Sequence, residues 1–208
     1  GIADYDILNP VAWDNISLNS KNIDLTKNSS IFVFGSLICR NVTSRETLKE
    51  LLKIAPFKLF DVNLRSPYYN LNLIEELMLS SDFIKFNLEE ITEISSIYNK
   101  KKTSLESMIK IISKKTKTTN ICVTMGEKGA CYYTNNLFYF QDGFKITVSD
   151  TIGAGDSFLA TLVEGILKNA KPEEVLKKAC AVAALVASKK GATSKVSISE
   201  ISDLIESK

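Results

Sequence analysis

The 208-residue sequence contains no histidine. This absence excludes a Ser-His-Asp triad, a Cys-His pair, a histidine general base and the usual zinc sites. The four cysteines are far apart and form no C-x-x-C pair, a pattern that favours reduced thiols in the core of a cytoplasmic protein. Chemistry in this chain therefore has to rest on carboxylates, hydroxyls, amines and backbone amides.

Long hydrophobic runs and an excess of one charge are also missing. The longest apolar run, residues 179–187, has nine residues and is too short to cross a bilayer. The 26 basic and 24 acidic side chains give a net charge of +2, which points to neither nucleic acid nor a membrane as partner. Lysine clusters at residues 100–102 and 114–117 lack interleaved aromatic side chains, so we interpret them as solvated faces rather than phosphate-tracking patches.

Apolar runs of strand length alternate with helical patterns in the first 125 residues. This alternation predicts an α/β fold, with a mainly parallel sheet and helices on both of its faces. Strands are predicted over residues 31–38, 58–64, 83–86 and 120–125, and helices over residues 43–52, 71–79, 88–97 and 103–115.

The pattern changes in the last 80 residues. Residues 130–134 and 137–141 flank an Asn135-Asn136 turn and predict a β-hairpin. Residues 144–148 alternate like one more strand, and helices are predicted over residues 156–168, 172–189 and 199–206.

Two of the predicted helices carry capping-box spacing at their starts. Thr43 with Glu46, and Thr103 with Glu106, have the Ser/Thr-x-x-Glu pattern that closes the first turn of a helix.

The segment Asp150-Thr151-Ile152-Gly153-Ala154-Gly155-Asp156 lies between a predicted strand and a long helix. Its small residues let the backbone approach an anion, and N–H groups at a helix N-terminus favour negative charge. A carboxylate next to these N–H groups indicates phosphoryl transfer: Asp156 would take a proton from a hydroxyl while the N–H groups hold the transferring phosphoryl group. The alternative is a tight turn with Asp156 as a helix cap. The chain has no Walker loop, and Phe158 replaces the last glycine of the dinucleotide fingerprint.

This segment resembles the second motif of the ribokinase-like sugar kinases, also called the PfkB family. The resemblance implies a ribokinase-like three-layer α/β/α sandwich with a mainly parallel central sheet. It also implies that Asp156 is the general base on the sugar hydroxyl and that Gly153, Ala154 and Gly155 form the anion hole. Thr161 stands where the family usually has Ala or Gly.

Metal ligands are implied at two places. Asn87-Leu88-Glu89-Glu90 looks like the family's N-x-x-E motif, which organises Mg²⁺, water and phosphate, so Asn87 and Glu90 are expected near the nucleotide and Glu90 is expected to hold Mg²⁺ through water. The alternative is an ordinary capped helix start. Asp150 and Thr151 match the loop that holds K⁺ in some family members and are candidate K⁺ ligands.

Two further loops are similar to ligand-binding loops of these kinases. Residues 124–129 resemble the nucleotide-side loop and give Thr124, Gly126 and Gly129 as nucleotide-binding candidates; the alternative is a strand-to-hairpin turn. Residues 61–65 look like the D-x-N-x-R segment of the fructokinase and ketodeoxygluconate kinase branches. They give Asp61, Asn63 and Arg65 as substrate-binding candidates, the alternative being a strand-end Asp-Arg pair.

The resemblance implies an ATP-dependent sugar kinase that uses Mg²⁺, binds a small-molecule sugar and ATP, and binds neither nucleic acid nor membrane. Tyr5-Asp6-Ile7, residues 10–14 and residues 34–37 look like bacterial fructokinases, so fructose, converted to fructose 6-phosphate, is the favoured substrate. The alternatives are a kinase for another sugar or a nucleoside, and a non-catalytic relative that binds a nucleotide or sugar.

The resemblance covers nearly all of the chain but only the later two-thirds of a family member. Residues 1–208 are therefore expected to be a single α/β kinase core that lacks its N-terminal part, including the first glycine motif, most of the lid and the Asp that grips the sugar. Residues 1–14 are expected to be a lid strand, a remnant of the β lid, and its return to the core. Lid-mediated dimers are common among relatives, so a homodimer is expected of the full-length protein.

Overall fold

The computed structural model describes residues 7–101 and 103–207. They divide into two compact units, with the boundary between Ile84 and Lys85. The strands are β1 (Phe32–Gly35), β2 (Lys58–Asp61), β3 (Phe83–Asn87), β4 (Ile121–Thr124), β5 (Ala130–Thr134) and β6 (Leu137–Gln141). The α-helices are α1 (Ser20–Lys27), α2 (Val42–Ile54), α3 (Leu71–Leu79), α4 (Leu88–Tyr98), α5 (Leu105–Thr116), α6 (Ala154–Leu167), α7 (Pro172–Ala187) and α8 (Ile198–Glu206).

The first unit is built around a parallel strand pair. In the register of β1 and β2, Phe34 lies opposite Phe60 and Gly35 opposite Asp61, and the two phenylalanine rings stack at 5.1 Å. Leu59 and Phe60 are fully buried although they point to opposite faces of β2, because a parallel strand is covered on both sides.

The second unit contains antiparallel pairs instead. β5 pairs with β4 on one side and with β6 on the other. Asn135 and Asn136, at the tip of the β5–β6 hairpin, both have positive φ (51° and 62°), as two-residue hairpin turns of this hand require. Gly165 of α6 faces Val175 of α7 so closely that a Cβ would lie 2.5 Å from a valine methyl group, and the two helices pack tightly for that reason.

The α/β fold predicted from the alternation of strands and helices is confirmed. The strand pairing is mixed, because β1 and β2 are parallel whereas β5 is antiparallel to both β4 and β6. The hairpin over residues 130–141 and the helix over residues 71–79 have the predicted bounds.

Three predicted strands are wrong in part or in full. The run over residues 58–64 is a strand only over Lys58–Asp61. The run over residues 31–38 is a strand only over Phe32–Gly35, and a 3₁₀ turn over Ser36–Arg40 follows it. Residues 144–148 form no strand. Their alternation buries Phe144 but leaves Val148 60% exposed, and alternation alone does not supply the neighbouring strand that a ladder needs.

The two predicted capping boxes are also wrong. Asn41 caps α2 by accepting a hydrogen bond from the N–H of Thr43, and Ser104, rather than Thr103, caps α5. In both cases a neighbouring short polar side chain satisfies the orphan donors first. Helix α1 was not predicted; its signal is the Asn19–Asn22 pair that closes its first turn.

The remaining expectations concern thiols, membranes and the N-terminal segment. All four cysteines are buried, and none forms a disulfide within the described residues. The part of the chain that the structure describes holds no helix of the length and apolarity needed to span a membrane. Most of the expected lid strand, including Tyr5 and Asp6, lies outside the described residues, and a 3₁₀ turn occupies Ala12–Asn15. The single-core organisation stays a prediction.

Candidate functional site

Helix α6 begins without a side-chain cap. Its N-cap is Gly153, which has a φ of +81° and makes no capping hydrogen bond. A Cβ on Gly153 would lie 2.3 Å from the carbonyl oxygen of Ala192, so only glycine fits both the conformation and the close approach of the two loops.

The first turn of α6 presents donors without acceptors. Among the described residues, none accepts a hydrogen bond from the N–H groups of Gly155 or Asp156. A Cβ on Gly155 would meet no atom within 4 Å, and the exposed Asp156 side chain has no partner in the described part of the chain. This helix start therefore combines open space, two N–H donors and a carboxylate, which is what proton abstraction beside a phosphoryl group requires.

The turn before α6 is held by the segment that follows α7. One carboxylate oxygen of Asp150 accepts from the N–H of Ile152 at 3.0 Å, and the other accepts from the N–H of Gly191 at 3.2 Å. The N–H of Asp150 donates to the carbonyl of Ala187, and the Thr151 carbonyl accepts from Ala154. Asp150 thus ties the turn in place, a role that the sequence did not reveal because its partners lie about 40 residues away.

The predicted Mg²⁺ motif forms a complete capping box on α4. Asn87 accepts from the N–H of Glu90 and Glu90 accepts from the N–H of Asn87, both at 2.8 Å. The Glu90 side chain is buried. Within the described residues no group of three or more Cys, Asp or Glu side chains could hold a metal. A single carboxylate suits a hydrated Mg²⁺, because this ion keeps several waters and takes one or two carboxylates together with phosphate oxygens.

The loop after β4 is fixed by one hydrogen bond and one close glycine contact. Thr124 lies at the end of β4 and its hydroxyl donates to the carbonyl of Phe86 at 3.4 Å. Gly129 is buried, and a Cβ there would lie 1.9 Å from the carbonyl oxygen of Gln141. Gly126 instead has a φ of +59° with open space around it, which leaves room for a ligand above the loop.

The three substrate-binding candidates follow β2 in the first unit. Asp61 is buried at the strand end, and Asn63 has a φ of 42°, a conformation that asparagine tolerates. The carbonyl of Asn63 accepts from the Ser36 hydroxyl at 3.2 Å. Arg65 is exposed, and one of its Nη atoms donates to the carbonyl of Leu64.

The far end of α6 carries a perturbed carboxylate. Hydrogen bonds from Lys168 at 2.6 Å and Lys178 at 2.7 Å lower the pKa of Glu164 to about 2. Glu164 therefore stays ionised and links α6 to α7 two turns beyond the candidate base.

Residues 6–199 match the description of a pfkB family carbohydrate kinase. The chain belongs to this family. A curated relative described as a sugar kinase of Pyrococcus horikoshii is 33% identical over 196 residues, which are 88% of this chain and 58% of the relative. Fructokinase-2 of Solanum lycopersicum is 30% identical over 203 residues, covering 88% of this chain and 60% of that protein.

Two solved structures of kinases have the same fold as this chain. The Pyrococcus horikoshii sugar kinase in complex with ATP superposes with a TM-score of 0.76 at 28% identity, covering 95% of this chain and 66% of that one. The Xylella fastidiosa fructokinase with bound ATP gives a TM-score of 0.76 at 20% identity, with 88% and 63% coverage. The chain is therefore ribokinase-like, and it spans about three fifths of the length of the curated relatives it matches.

Proposed function

We propose that this chain supplies the phosphoryl-transfer part of an ATP-dependent carbohydrate kinase. The observation that carries the proposal is the start of α6, where the exposed Asp156 carboxylate stands beside the N–H groups of Gly155 and Asp156 without an acceptor in the described part of the chain. Membership of the pfkB family supports the same chemistry.

The reaction follows from these groups. Asp156 accepts the proton of the sugar hydroxyl while the hydroxyl oxygen bonds to the γ-phosphorus of ATP. The bond between that phosphorus and the oxygen bridging to the β-phosphate breaks, and ADP leaves with the electron pair. The N–H groups of Gly155 and Asp156 donate to the phosphoryl oxygens, where charge is greatest in the transition state.

The other candidate residues support the nucleotide. When bound, Mg²⁺ neutralises phosphate charge, and Glu90 would hold one of its waters beside Asn87. Thr124, Gly126 and Gly129 would border the nucleotide. The assignment of K⁺ to Asp150 and Thr151 stays a prediction, since both Asp150 carboxylate oxygens already accept backbone N–H groups.

Fructose is the proposed acceptor, and fructose 6-phosphate the product. The resemblance of residues 34–37 to bacterial fructokinases supports this choice, as does the similarity to Fructokinase-2 of Solanum lycopersicum. Asp61, Asn63 and Arg65 are the proposed sugar contacts. A homodimer stays a prediction for the full-length protein.

The test is an ADP-release assay on the full-length protein with MgATP and a panel of sugars and nucleosides. We expect fructose to give the highest kcat/KM, and Asp156→Asn to lower kcat by roughly 100-fold or more. The matched control is Asp203→Asn, which removes the charge of an exposed aspartate in α8 and should change kcat by less than about twofold.

Each part of the proposal has its own contradicting outcome. Wild-type turnover by Asp156→Asn would show that Asp156 is not the base. A preference for another sugar would overturn fructose but not the kinase activity, whereas ATP binding without phosphorylation of any acceptor would favour a non-catalytic relative.

A further inference from the structure

Arg40 lies at the end of the 3₁₀ turn that follows β1, and its guanidinium forms an ion pair with the carboxylate of Asp14. Its side chain is 2% exposed. Nε and Nη2 each donate to one carboxylate oxygen of Asp14 at 2.7 Å, and Nη2 also donates to the carbonyl of Leu8 at 2.6 Å. The hydrogen bond from Arg40 holds the pKa of Asp14 below its ordinary value, so the bidentate pair persists as ions.

The Arg40 guanidinium lies over two aromatic rings. Its central carbon lies 4.8 Å from the ring centre of Tyr68 and 5.8 Å from that of Trp13. Both distances are within the range of a cation–π attraction. Asp14 therefore fixes the orientation of the guanidinium, and the fixed guanidinium in turn orients the two rings.

Tyr68 belongs to the loop that carries the proposed sugar contacts. Its N–H donates to the carbonyl of Arg65 at 2.8 Å and closes a turn. Its hydroxyl donates to the carbonyl of Ile7 at 3.4 Å. Upstream in the same loop, the Asn63 carbonyl is held by the Ser36 hydroxyl. The loop is thus fastened at two points by residues that follow β1.

One donor of the guanidinium has no partner in the part of the chain that the structure describes. Arg40 Nη1 is buried and has no acceptor among the described residues. Buried donors are nearly always satisfied, by protein atoms or by ordered water. Arg40 follows β1 and Tyr68 follows β2 in the chain, and ligands of open α/β sheets bind beside the carboxyl ends of the strands.

We propose that Arg40 is a positioning residue for sugar binding: it holds the ring of Tyr68, and through Tyr68 the turn that presents Arg65. The inference rests on the proposed function, because it assigns Arg65 to the sugar half of the site. It goes further than the proposed function because Arg40 and Tyr68, which lie outside the D-x-N-x-R motif, would set the affinity for the sugar.

The test compares the two rings that flank the guanidinium, in the full-length protein. Tyr68→Leu removes the ring on the loop, and Trp13→Leu removes the ring that is not on the loop. We expect Tyr68→Leu to raise the KM for the sugar about fivefold or more, with the KM for ATP changed by less than about twofold. Trp13→Leu should leave both constants near their wild-type values, and Tyr68→Phe, which keeps the ring, should restore the sugar KM.

A second measurement does not depend on activity. Hydrogen exchange of the peptide covering residues 61–70 should be faster in Tyr68→Leu than in Trp13→Leu, and near wild type in Tyr68→Phe. Equal exchange and equal sugar KM in the two leucine variants would overturn the role of Arg40. If the wild-type protein phosphorylated no sugar, the proposed function would fail on its own, while the exchange comparison would still decide whether Arg40 holds the loop.

Discussion

Helices α4 and α6 of the second unit both carry a carboxylate at their third helical residue, yet the two starts are built in opposite ways. In α4 the N-cap Asn87 and the third helical residue Glu90 satisfy each other's backbone N–H groups. In α6 the N-cap is Gly153, and neither the N–H group nor the side chain of the third helical residue, Asp156, has a hydrogen-bond partner in the described part of the chain.

The difference separates a helix start that is complete from one that needs a ligand. Orphan N–H groups of a first turn are satisfied by side chains, water or a bound anion. Because Asn87 and Glu90 already supply acceptors, a phosphate gains little at α4. At α6 a phosphate would meet N–H donors that no side chain among residues 7–101 and 103–207 occupies, so the helix dipole and the hydrogen bonds would act together there.

The largest effects are expected when one methyl group is added at the start of α6, either at Gly153 or at Gly155. Gly153→Ala should lower the free energy of unfolding by about 2 kcal/mol or more, because its φ of +81° is strained for alanine and its Cβ would lie 2.3 Å from the Ala192 carbonyl oxygen. Gly155→Ala should change it by less than about 0.5 kcal/mol but lower kcat roughly tenfold by narrowing the space for a phosphoryl group.

Urea unfolding and the ADP-release assay, run on both glycine variants, check this pair. Equal loss of stability in the two variants would contradict the distinction between a glycine that packs and a glycine that leaves room. Full activity in Gly155→Ala would mean that the reacting group does not approach this turn.

An intermediate effect is expected at the closed start of α4. Glu90→Gln keeps an oxygen that can accept from the Asn87 N–H, so the free energy of unfolding should change by less than about 0.5 kcal/mol. The lost charge should raise the Mg²⁺ concentration needed for half-maximal rate roughly tenfold, if a hydrated Mg²⁺ rests against this carboxylate.

The matched control is Glu89→Gln, which removes the neighbouring exposed carboxylate from the same helix turn. Its Mg²⁺ dependence, measured by titration at fixed ATP, should stay near wild type. The same shift in both variants would reduce the Glu90 effect to a general change of charge and leave Glu90 as a helix cap.

The smallest effect on the free energy of unfolding is expected at Glu164, near the other end of α6. Glu164 has a folded-state pKa of about 2 against an ordinary value of 4.5, so its pairs with Lys168 and Lys178 contribute stability at pH values above about 4.5 and lose it as the pH falls towards 2. Because Glu164 is 41% exposed, solvent screens the pairs, and Glu164→Gln should cost only about 0.5 kcal/mol at pH 7.

Urea unfolding of wild type and Glu164→Gln at pH 7 and at pH 2.5 measures this difference. The gap in unfolding free energy should shrink at the lower pH, and also at 1 M salt. A gap that stays constant with pH would assign the effect to packing of the side chain instead of its charge.

Elements with strong local signals could be predicted from the sequence. Helix α3 has the predicted bounds because Asn70 caps a clear apolar period, and the hairpin follows from the Asn135-Asn136 pair that tolerates positive φ. The prediction of a strand over residues 144–148 is wrong, because strand formation also depends on a partner strand elsewhere in the chain. The caps of α2 and α5 were misplaced by one or two residues, since several short polar side chains compete at each start.

The candidate site shows the same limit. The glycines and Asp156 are visible as a motif because they are contiguous. The contact between Asp150 and Gly191 and the pair of Asp14 with Arg40 join residues 41 and 26 positions apart, and neither pair carries a local pattern. Long-range contacts of this kind had to come from the fold.

The buried thiols make the two units distinguishable in an experiment on a single sample. Burial raises the pKa of Cys39 in the first unit to about 11 and that of Cys131 in the second to about 12, so at neutral pH both are almost entirely in the unreactive thiol form. An alkylating reagent can reach them only when their surroundings open. The alkylation rates of Cys39 and Cys131, measured separately by mass spectrometry, would therefore report how often each unit opens.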